Sequence, residues 1–362
     1  MVSRAAPLDL GRPIARLTYN GVPLWDAISS DVIDLTFTDN IEGEADEIQL
    51  KVHNASGKWF SAWTPEHGDE IEGAFGYVGS IMVPLGTFFV DKPSAAGGRG
   101  GDTFSTSGQS APVSKALRTQ KTRAFENQTL ADAVRKVAGE HGLEVVGTPP
   151  ALHFERITQR RETDLAFLKR LAEDYGCFFK VAGKKLVFMA RSEVWGRNAI
   201  RTIVKGSREI VSYTLNYEAA KTASKAKASY YLGNEKKKIE VEVEDSEVKT
   251  GDTLRIDDRA ENEGQARELA KSRLQKANLK QWTGNFTLVG DPLLLAGQNV
   301  LLSGYGRWDR KYSITRARHQ LSRSGLTTAI EQAGTREGEG SGPTESGKAA
   351  IASRPSTGSA AP

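Results

Sequence analysis

The feature that most constrains the fold is a series of short alternating segments in the first 110 residues, separated by turn residues. Residues 32–38 and 47–52 alternate apolar and polar side chains, as strands with one buried face do. Asn20-Gly21 is a tight-turn signal, and the glycine-rich residues 97–101 are typical of a flexible hairpin tip. Because the turns follow one another so closely, an antiparallel barrel or sandwich is predicted rather than a parallel sheet.

The stretch that begins near residue 112 changes to helices that each lead through a glycine into a strand. One helix is predicted over residues 127–141 and begins at Thr129. A second helix is predicted over residues 163–175, with Gly176 after its last turn. A hairpin that turns at residues 182–184 follows it. The pattern indicates a small α/β domain with two similar helix-to-strand units.

From about residue 205 the strand pattern resumes, interrupted by one helix over residues 261–281 whose buried stripe consists of alanines and leucines. After residue 333 the chain is rich in Gly, Ser, Thr and Pro and too poor in large apolar side chains to offset its ordering entropy. The predicted class is therefore a β-rich α+β protein. Its expected parts are a β-domain (1–111), an α/β insert (112–204), a second β-domain with an inserted helix (205–333) and a disordered tail (334–362).

Composition limits the possible functions. The chain has 49 basic and 45 acidic residues, a formal charge of +4, which is small for a dedicated nucleic-acid binder. Cys177 is the only cysteine, so an intrachain disulfide is excluded. Neither a secretion signal nor an apolar run long enough to cross a bilayer is visible, so the protein is expected to be made in the cytoplasm without membrane insertion.

Candidate chemical motifs are weak. Residues 342–348 match the start of a phosphate-binding loop, but Ala349 stands where Ser or Thr should bind magnesium, within the Gly/Ser-rich tail. The five histidines have no ligand spacing, and no serine stands in the setting of a hydrolase nucleophile. We therefore expect neither a catalytic site, nor a metal site, nor a cofactor.

Acidic residues near the helix starts have a structural interpretation. Glu162 and Asp164 could form a catalytic carboxylate pair, but two residues apart at a helix start they do not point at one substrate. Helix capping, by Thr163 or Asp164, and ion pairing with a neighbouring domain are favoured instead. The acidic run at residues 257–261 is likewise expected to stabilise the start of the next helix.

Lys221, Lys225 and Lys227 form a basic segment close to two tyrosines, a combination that could bind single-stranded nucleic acid. The favoured interpretation is a solvated strand face that discourages unwanted edge pairing. A place along the path of DNA through a channel is compatible with both interpretations.

Two motifs carry a resemblance to a known family. The first comprises Gln159, Glu162, Asp164, Phe167, Leu168, Leu171 and Gly176. The second, downstream of the predicted helix at 261–281, comprises Gly290, Asp291, Gly297, Gly304, Gly306, Tyr312 and His319. In this order they resemble the phage late control protein D family, the hub proteins of contractile phage tails, which are similar to the hub part of type VI secretion VgrG spikes. The residues of both motifs are expected to serve structure and interfaces.

The resemblance implies a homotrimer in which each chain supplies two tail-tube-like β-barrel domains that flank the α/β insert. Such a ring adapts the sixfold tail tube to the threefold spike and leaves a channel for DNA or tape-measure protein. The implied partners are the tube protein or a tube initiator, a separate spike protein and the baseplate wedge. The implied location is the baseplate of the virion tail, or of a tailocin, assembled in the bacterial cytoplasm.

Two other function classes stay open at this point. A tail-associated cell-wall hydrolase suits a protein at a tail tip, but no acid/base pair supports it. A DNA-binding regulator of late genes fits the family's historical name, but the near-neutral charge and the lack of a helix-turn-helix argue against it.

Overall fold

A computed structural model describes residues 11–110, 117, 119–220, 222–232 and 237–335. The predicted β-rich α+β class is confirmed, since strands dominate and helices lie in the middle and third regions apart from two short turns at residues 25–28 and 58–60. The phosphate-loop-like motif and nearly all of the predicted tail lie outside the described residues. Gly334, at the start of that predicted tail, is the final residue of the last strand.

The first region is antiparallel throughout, as its turn spacing predicts. In chain order it contains β1 (Pro13–Tyr19), β2 (Val22–Pro23), α1 (Trp25–Ile28), β3 (Val32–Asn40), β4 (Glu47–His53), β5 (Glu70–Tyr77), β6 (Val83–Ala96) and β7 (Thr103–Gln109). The alternating side chains place Leu35, Phe37, Phe75 and Phe88 together in one core. The predicted glycine-rich hairpin tip connects β6 to β7.

The middle region packs two helices against short strands around its own core. It contains β8 (Gln120–Thr129), α2 (Leu130–Glu140), β9 (Glu144–Val146), β10 (His153–Thr163), α3 (Asp164–Asp174), β11 (Cys177–Ala182), β12 (Lys185–Ala190) and α4 (Arg191–Gly196). Thr129 caps α2 in a capping box with Asp132, and Thr163, not Asp164, caps α3 by accepting from Ala166 N–H. Strands β8 and β10 also pair with each other as a long two-stranded ribbon, which the sequence did not predict.

The third region continues with β13 (Ala199–Val204), β14 (Ile210–Tyr217), β15 (Ala223–Leu232), β16 (Lys237–Glu244), β17 (Asp252–Ala260), α5 (Glu263–Asn278), β18 (Trp282–Val289), β19 (Asn299–Ser303), β20 (Lys311–Ser322) and β21 (Gly325–Gly334). The interpretation of the acidic run as a cap is wrong for most of it, because Asp257 and Asp258 belong to β17 and Asn262 caps α5. The carboxylate of Glu261 instead accepts from backbone N–H groups of β10.

Strands of the first and third regions form one sheet, in the order β14-β18-β21-β20-β3-β4-β7-β6-β5-β1-β2; β19 also pairs with β20, and β13 pairs with β19. The seam between the regions is the antiparallel pair of β3 and β20. Strands β15, β16 and β17 stay outside this sheet and pack on α5 around a separate core. Residues 222–278 are therefore a small α/β body inserted between β14 and β18, hereafter the small body.

Candidate functional site

The first sequence motif has the buried carboxylate of Asp164 at its centre, surrounded by Gln159 of the same motif and by three basic side chains from outside it. Its oxygens accept from Lys121 Nζ at 2.6 Å, Arg123 Nη2 at 2.8 Å and Gln159 Nε2 at 2.9 Å, and His141 Nε2 lies 2.7 Å away. Burial by itself would raise the pKa of Asp164, but the hydrogen bonds from Lys121, His141 and Gln159 and the charge of Arg123 lower it. Asp164 is thus an ionised anchor that ties the β8–β10 ribbon to α2 and α3.

The same residues include a possible metal-ligand set. Glu140, His141 and Asp164 each offer a ligand atom, and these atoms lie within 4.8 Å of one another. However, Lys121 Nζ is bound to both carboxylates, and Arg123 Nη1 lies 2.7 Å from Glu140 Oε2. Two fixed cations already neutralise the carboxylates, so the arrangement is an ion-pair network. Sequence reasoning missed it because its members come from β8, α2 and α3.

The remaining residues of the first motif build the core around this network. Phe167, Leu168 and Leu171 are fully or almost fully buried in the core of the middle region. Glu162 does not dock a neighbouring domain, as had been expected, but lies 3.2 Å from Arg170 within the same region. Gly176 follows α3 with φ +65°, a left-handed conformation suited to glycine. The apolar members of the motif are closed to solvent, and the carboxylate of Glu162 is paired with Arg170.

The second motif lies where β18, β20 and β21 meet. Asp291 pairs with Arg201 of β13, and its N–H donates to Thr328 Oγ1 at 2.8 Å. A Cβ on Gly290 would come within 2.4 Å of Leu326, so only glycine allows this close approach. Gly304 and Gly306 occupy the turn between β19 and β20, Gly297 precedes β19, and Tyr312 is buried in β20. The motif therefore shapes the third region's core and turns.

His319 is the buried centre of this second motif. Its Nε2 lies 3.0 Å from Leu294 O and its Nδ1 lies 3.0 Å from Thr328 Oγ1, so Nε2 carries the proton and donates to the carbonyl. Burial lowers the pKa of His319 to about 4. Its ring stacks on Phe37 of β3, with centroids 6.0 Å apart. A neutral histidine with both nitrogens engaged serves the seam between the two sheet regions rather than proton transfer.

A second buried ion cluster joins three regions and was not predicted. Lys180 of β11 reaches Asp39 Oδ1 at 2.8 Å, Asn40 O at 2.9 Å and both Asp46 oxygens at 3.1 Å. Asp39 Oδ2 also accepts from Ala296 N–H of the third region at 2.8 Å. Burial raises the pKa of Asp46 to about 6, against the opposing effect of Lys180. We call this group of residues the Lys180 clasp.

The predicted basic segment is largely neutralised. Lys221 lies outside the described residues. Lys225 is paired with Glu242 at 2.8 Å and with Glu244, and Lys227 is 2.9 Å from Glu242. These contacts join β15 to β16 on an exposed face of the small body, in line with the solvated-face interpretation.

A cavity of about 700 Å³ lies between β10, α3 and α5. Burial raises the pKa of Asp174 at its wall, which is a property of general acids. Arg273 of α5, however, binds Asp174 at 2.8 Å and Asp258 at 3.0 Å. Because one guanidinium bridges both carboxylates, they fasten the small body to α3.

Among the described helices, each lacks the length and apolarity that a bilayer span requires.

Comparison with known proteins agrees with this structural picture. A probable baseplate hub protein of Escherichia phage 186 is 27% identical over 187 residues, which covers 50% of this chain and 47% of that protein. The chain thus matches about half the length of this curated relative. A 43 kDa tail protein of prophage MuSo2 from Shewanella oneidensis has the same fold, with a TM-score of 0.68 at 17% identity over 88% of this chain and 98% of its own.

The fold is also similar to that of the E. coli c3393 protein, a component of the type VI secretion system, with a TM-score of 0.56 at 14% identity over 89% of this chain and 77% of the other. The model of the phage tail baseplate hub (GPD) family matches residues 111–325, more than half of the chain and both sequence motifs. The chain therefore belongs to the phage tail baseplate hub (GPD) family, whose members are components of the phage tail.

Proposed function

We propose that this chain is the hub of a contractile-tail baseplate and that three copies form a ring around a central channel. The observation that supports this most directly is the continuous sheet formed by the first and third regions through the seam of β3 and β20. Each chain then supplies two β-units to the ring, so three chains supply six. Such a ring can meet a sixfold tail tube on one face and a threefold spike on the other.

The partners follow from this geometry. We assign the tail tube or its initiator to one face of the ring, a separate spike protein to the other, and wedge proteins to the periphery. DNA and tape-measure protein would pass through the centre. Lys225 and Lys227 remain proposed channel residues, although their pairing with Glu242 would weaken their attraction for a phosphate backbone.

Assembly can be tested directly with the full-length chain. Purified alone and co-expressed with the spike and tube proteins from the same genome, it should give a trimer by multi-angle light scattering and a ring by electron microscopy. A strict monomer at high micromolar concentration, with and without those partners, would contradict the proposal.

We further propose that the chain acts by assembly and not by catalysis. The two carboxylates whose pKa values are raised by burial, Asp46 and Asp174, are already bound to Lys180 and Arg273. Incubation with purified peptidoglycan should release no soluble fragments. Release that is abolished by Asp174→Asn but not by the exposed control Glu155→Gln would instead establish a cell-wall hydrolase.

A further inference from the structure

The first and third regions are two copies of one arrangement. Six strands of the first region run in the order β1-β5-β6-β7-β4-β3, and six of the third run β13-β19-β20-β21-β18-β14. In each set the fourth and third strands form a hairpin, β6 with β7 and β20 with β21. The first strands of the two orders, β1 and β13, differ in direction: β13 pairs in parallel with β19, whereas β1 pairs antiparallel with β5.

Irregularities of the ladders fix the equivalence residue by residue. The bulge between Val32 and Asp34 in β3 recurs between Ile210 and Ser212 in β14. The bulge between Val90 and Lys92 in β6 recurs between Ile314 and Arg316 in β20. Bulges are specific features of a ladder, so the same bulges at corresponding positions show that the two units share one register. By this register β14 corresponds to β3, and β6 corresponds to β20.

The seam inside the chain shows how two such units join. The second half of β20, residues 316–322, extends past its pairing with β19 and pairs with β3. In the register of this seam Phe37 stands opposite His319 and Thr36 opposite Gln320. The apolar residues that it covers are closed to solvent, with Leu35 0% and Phe37 3% exposed.

The corresponding segments, β14 and the second half of β6, have no such cover within the described chain. β14 pairs only with β18, and residues 91–96 of β6 pair only with β7. Tyr213 and Tyr217 of β14 are 43% and 39% exposed, although they occupy the positions of Leu35 and Asp39 in β3. An exposed edge strand with large apolar side chains calls for a partner strand.

We propose that β14 of one copy pairs antiparallel with residues 92–98 of the next copy, so that the contact between chains repeats the seam of β3 and β20. This inference rests on the proposed ring and names the strands that close it. Since the two edges differ and lie on different units, the contact is heterologous and generates a ring when its rotation closes.

The register of the inner seam, transferred to these strands, predicts complementary neighbours. Lys92 falls opposite Glu218, a pair of opposite charges. Two large side chains of β14 fall opposite small residues: Tyr213 faces Gly97, and Leu215 faces Ala95. Thus the small residues Ala95 and Gly97 leave room for the large side chains of Tyr213 and Leu215.

Pro93 imposes one limit on the new ladder. It stands at the position of Ala317 and has no N–H to donate. In the inner seam Ile41 N–H donates to Thr315 O, so by the alternation of an antiparallel ladder the residue at 317 points its N–H at β3. The predicted contact therefore lacks one backbone hydrogen bond that the inner seam has. Its specificity depends more on the pairing of large with small side chains than on the backbone ladder.

Cysteine cross-linking tests this register in the full-length chain. Thr36 and Gln320 form a non-hydrogen-bonded pair in the inner seam by the same alternation, so the predicted equivalents, Thr214 and Ala96, have Cα atoms close enough for a disulfide. The native thiol of Cys177 does not interfere, because it is buried and burial raises its pKa to about 12.

The variant Ala96→Cys/Thr214→Cys, mildly oxidised, should yield covalent dimers and trimers on a non-reducing gel. The single variants should not, nor should Ala96→Cys/Thr202→Cys, whose second cysteine lies on the other edge strand, β13. Light scattering separates the two levels of the proposal. A trimer that fails to cross-link, or that cross-links through Thr202, overturns this interface and leaves the ring intact. A chain that stays monomeric in every condition overturns both.

Discussion

Replacing Lys180 by methionine removes the cation of the Lys180 clasp and keeps the apolar stem of the side chain. The clasp is poorly accessible, since the side chains of Lys180 and Asp46 are 17% and 8% exposed. Removal of one member of a buried ion pair leaves the other charge without compensation and typically costs about 3–5 kcal/mol. Because Asp46 can take up a proton in response, we expect a loss of about 3 kcal/mol in the free energy of unfolding near pH 8.

The pH dependence of this loss tests the mechanism. The pKa of Asp46 is already raised to about 6 in the folded chain, so its protonated form favours folding and this gain grows as pH falls through that value. Without Lys180, which lowers the pKa of Asp46, the folded pKa should rise further. The difference in unfolding free energy between Lys180→Met and the native chain should therefore shrink between about pH 8 and about pH 5.5.

Urea denaturation followed by tryptophan fluorescence measures both quantities. Lys185→Met, at an exposed position on the same hairpin, is the matched control and should leave the midpoint unchanged. Equal midpoints for Lys180→Met and the native chain near pH 8 would refute the reasoning. A loss that grows on acidification would refute it as well, because a protonated Asp46 no longer needs a cation.

Three further predictions concern the two sequence motifs. Asp164→Asn removes the shared anion and should lower the unfolding free energy by about 2–3 kcal/mol in denaturant titrations. Leu168→Ala should cost about 2–5 kcal/mol, and Leu165→Ala at the edge of the same core should cost less; equal losses would contradict the core assignment. His319→Ala should cost about 3 kcal/mol at neutral pH. The contribution of His319 to stability should fall as pH decreases from about 6.5 towards 4, because the unfolded histidine binds its proton first, so the difference in unfolding free energy between the native chain and His319→Ala should shrink over this range.

Local sequence signals were sufficient to predict the helices and most of the strands. The capping box at Thr129 is visible in the sequence, as is the glycine that follows α3, and both helices form where these signals predict. The β8–β10 ribbon escaped prediction because most of its side chains are polar and only a few are buried, so no apolar period marks it.

Contacts between distant residues could not be predicted in the same way. Lys180 stands in a short apolar strand, where a single lysine suggests a solvent-facing position, and its acidic partners lie far away in the chain. The pairing of β3 with β20 has no local signature either. Thr163 or Asp164 was expected to cap α3; Thr163 takes that position, which frees the Asp164 carboxylate for the cations of β8.

The small body is attached to the third region through a narrow neck. Tyr217 pairs with Trp282, and Glu218 N–H donates to Gln281 O, so the chain leaves and re-enters the sheet on adjacent strands. Asn278 clamps the base of the neck by bonding both backbone groups of Ala223 at 2.8 Å. A tight Asn-Gly turn between β14 and β18 could therefore replace the body and restore the plain hairpin that β3 and β4 form in the first unit, with loss of the contacts that Arg273 and Glu261 make to α3 and β10. The same neck is a natural site for grafting a foreign domain onto the hub.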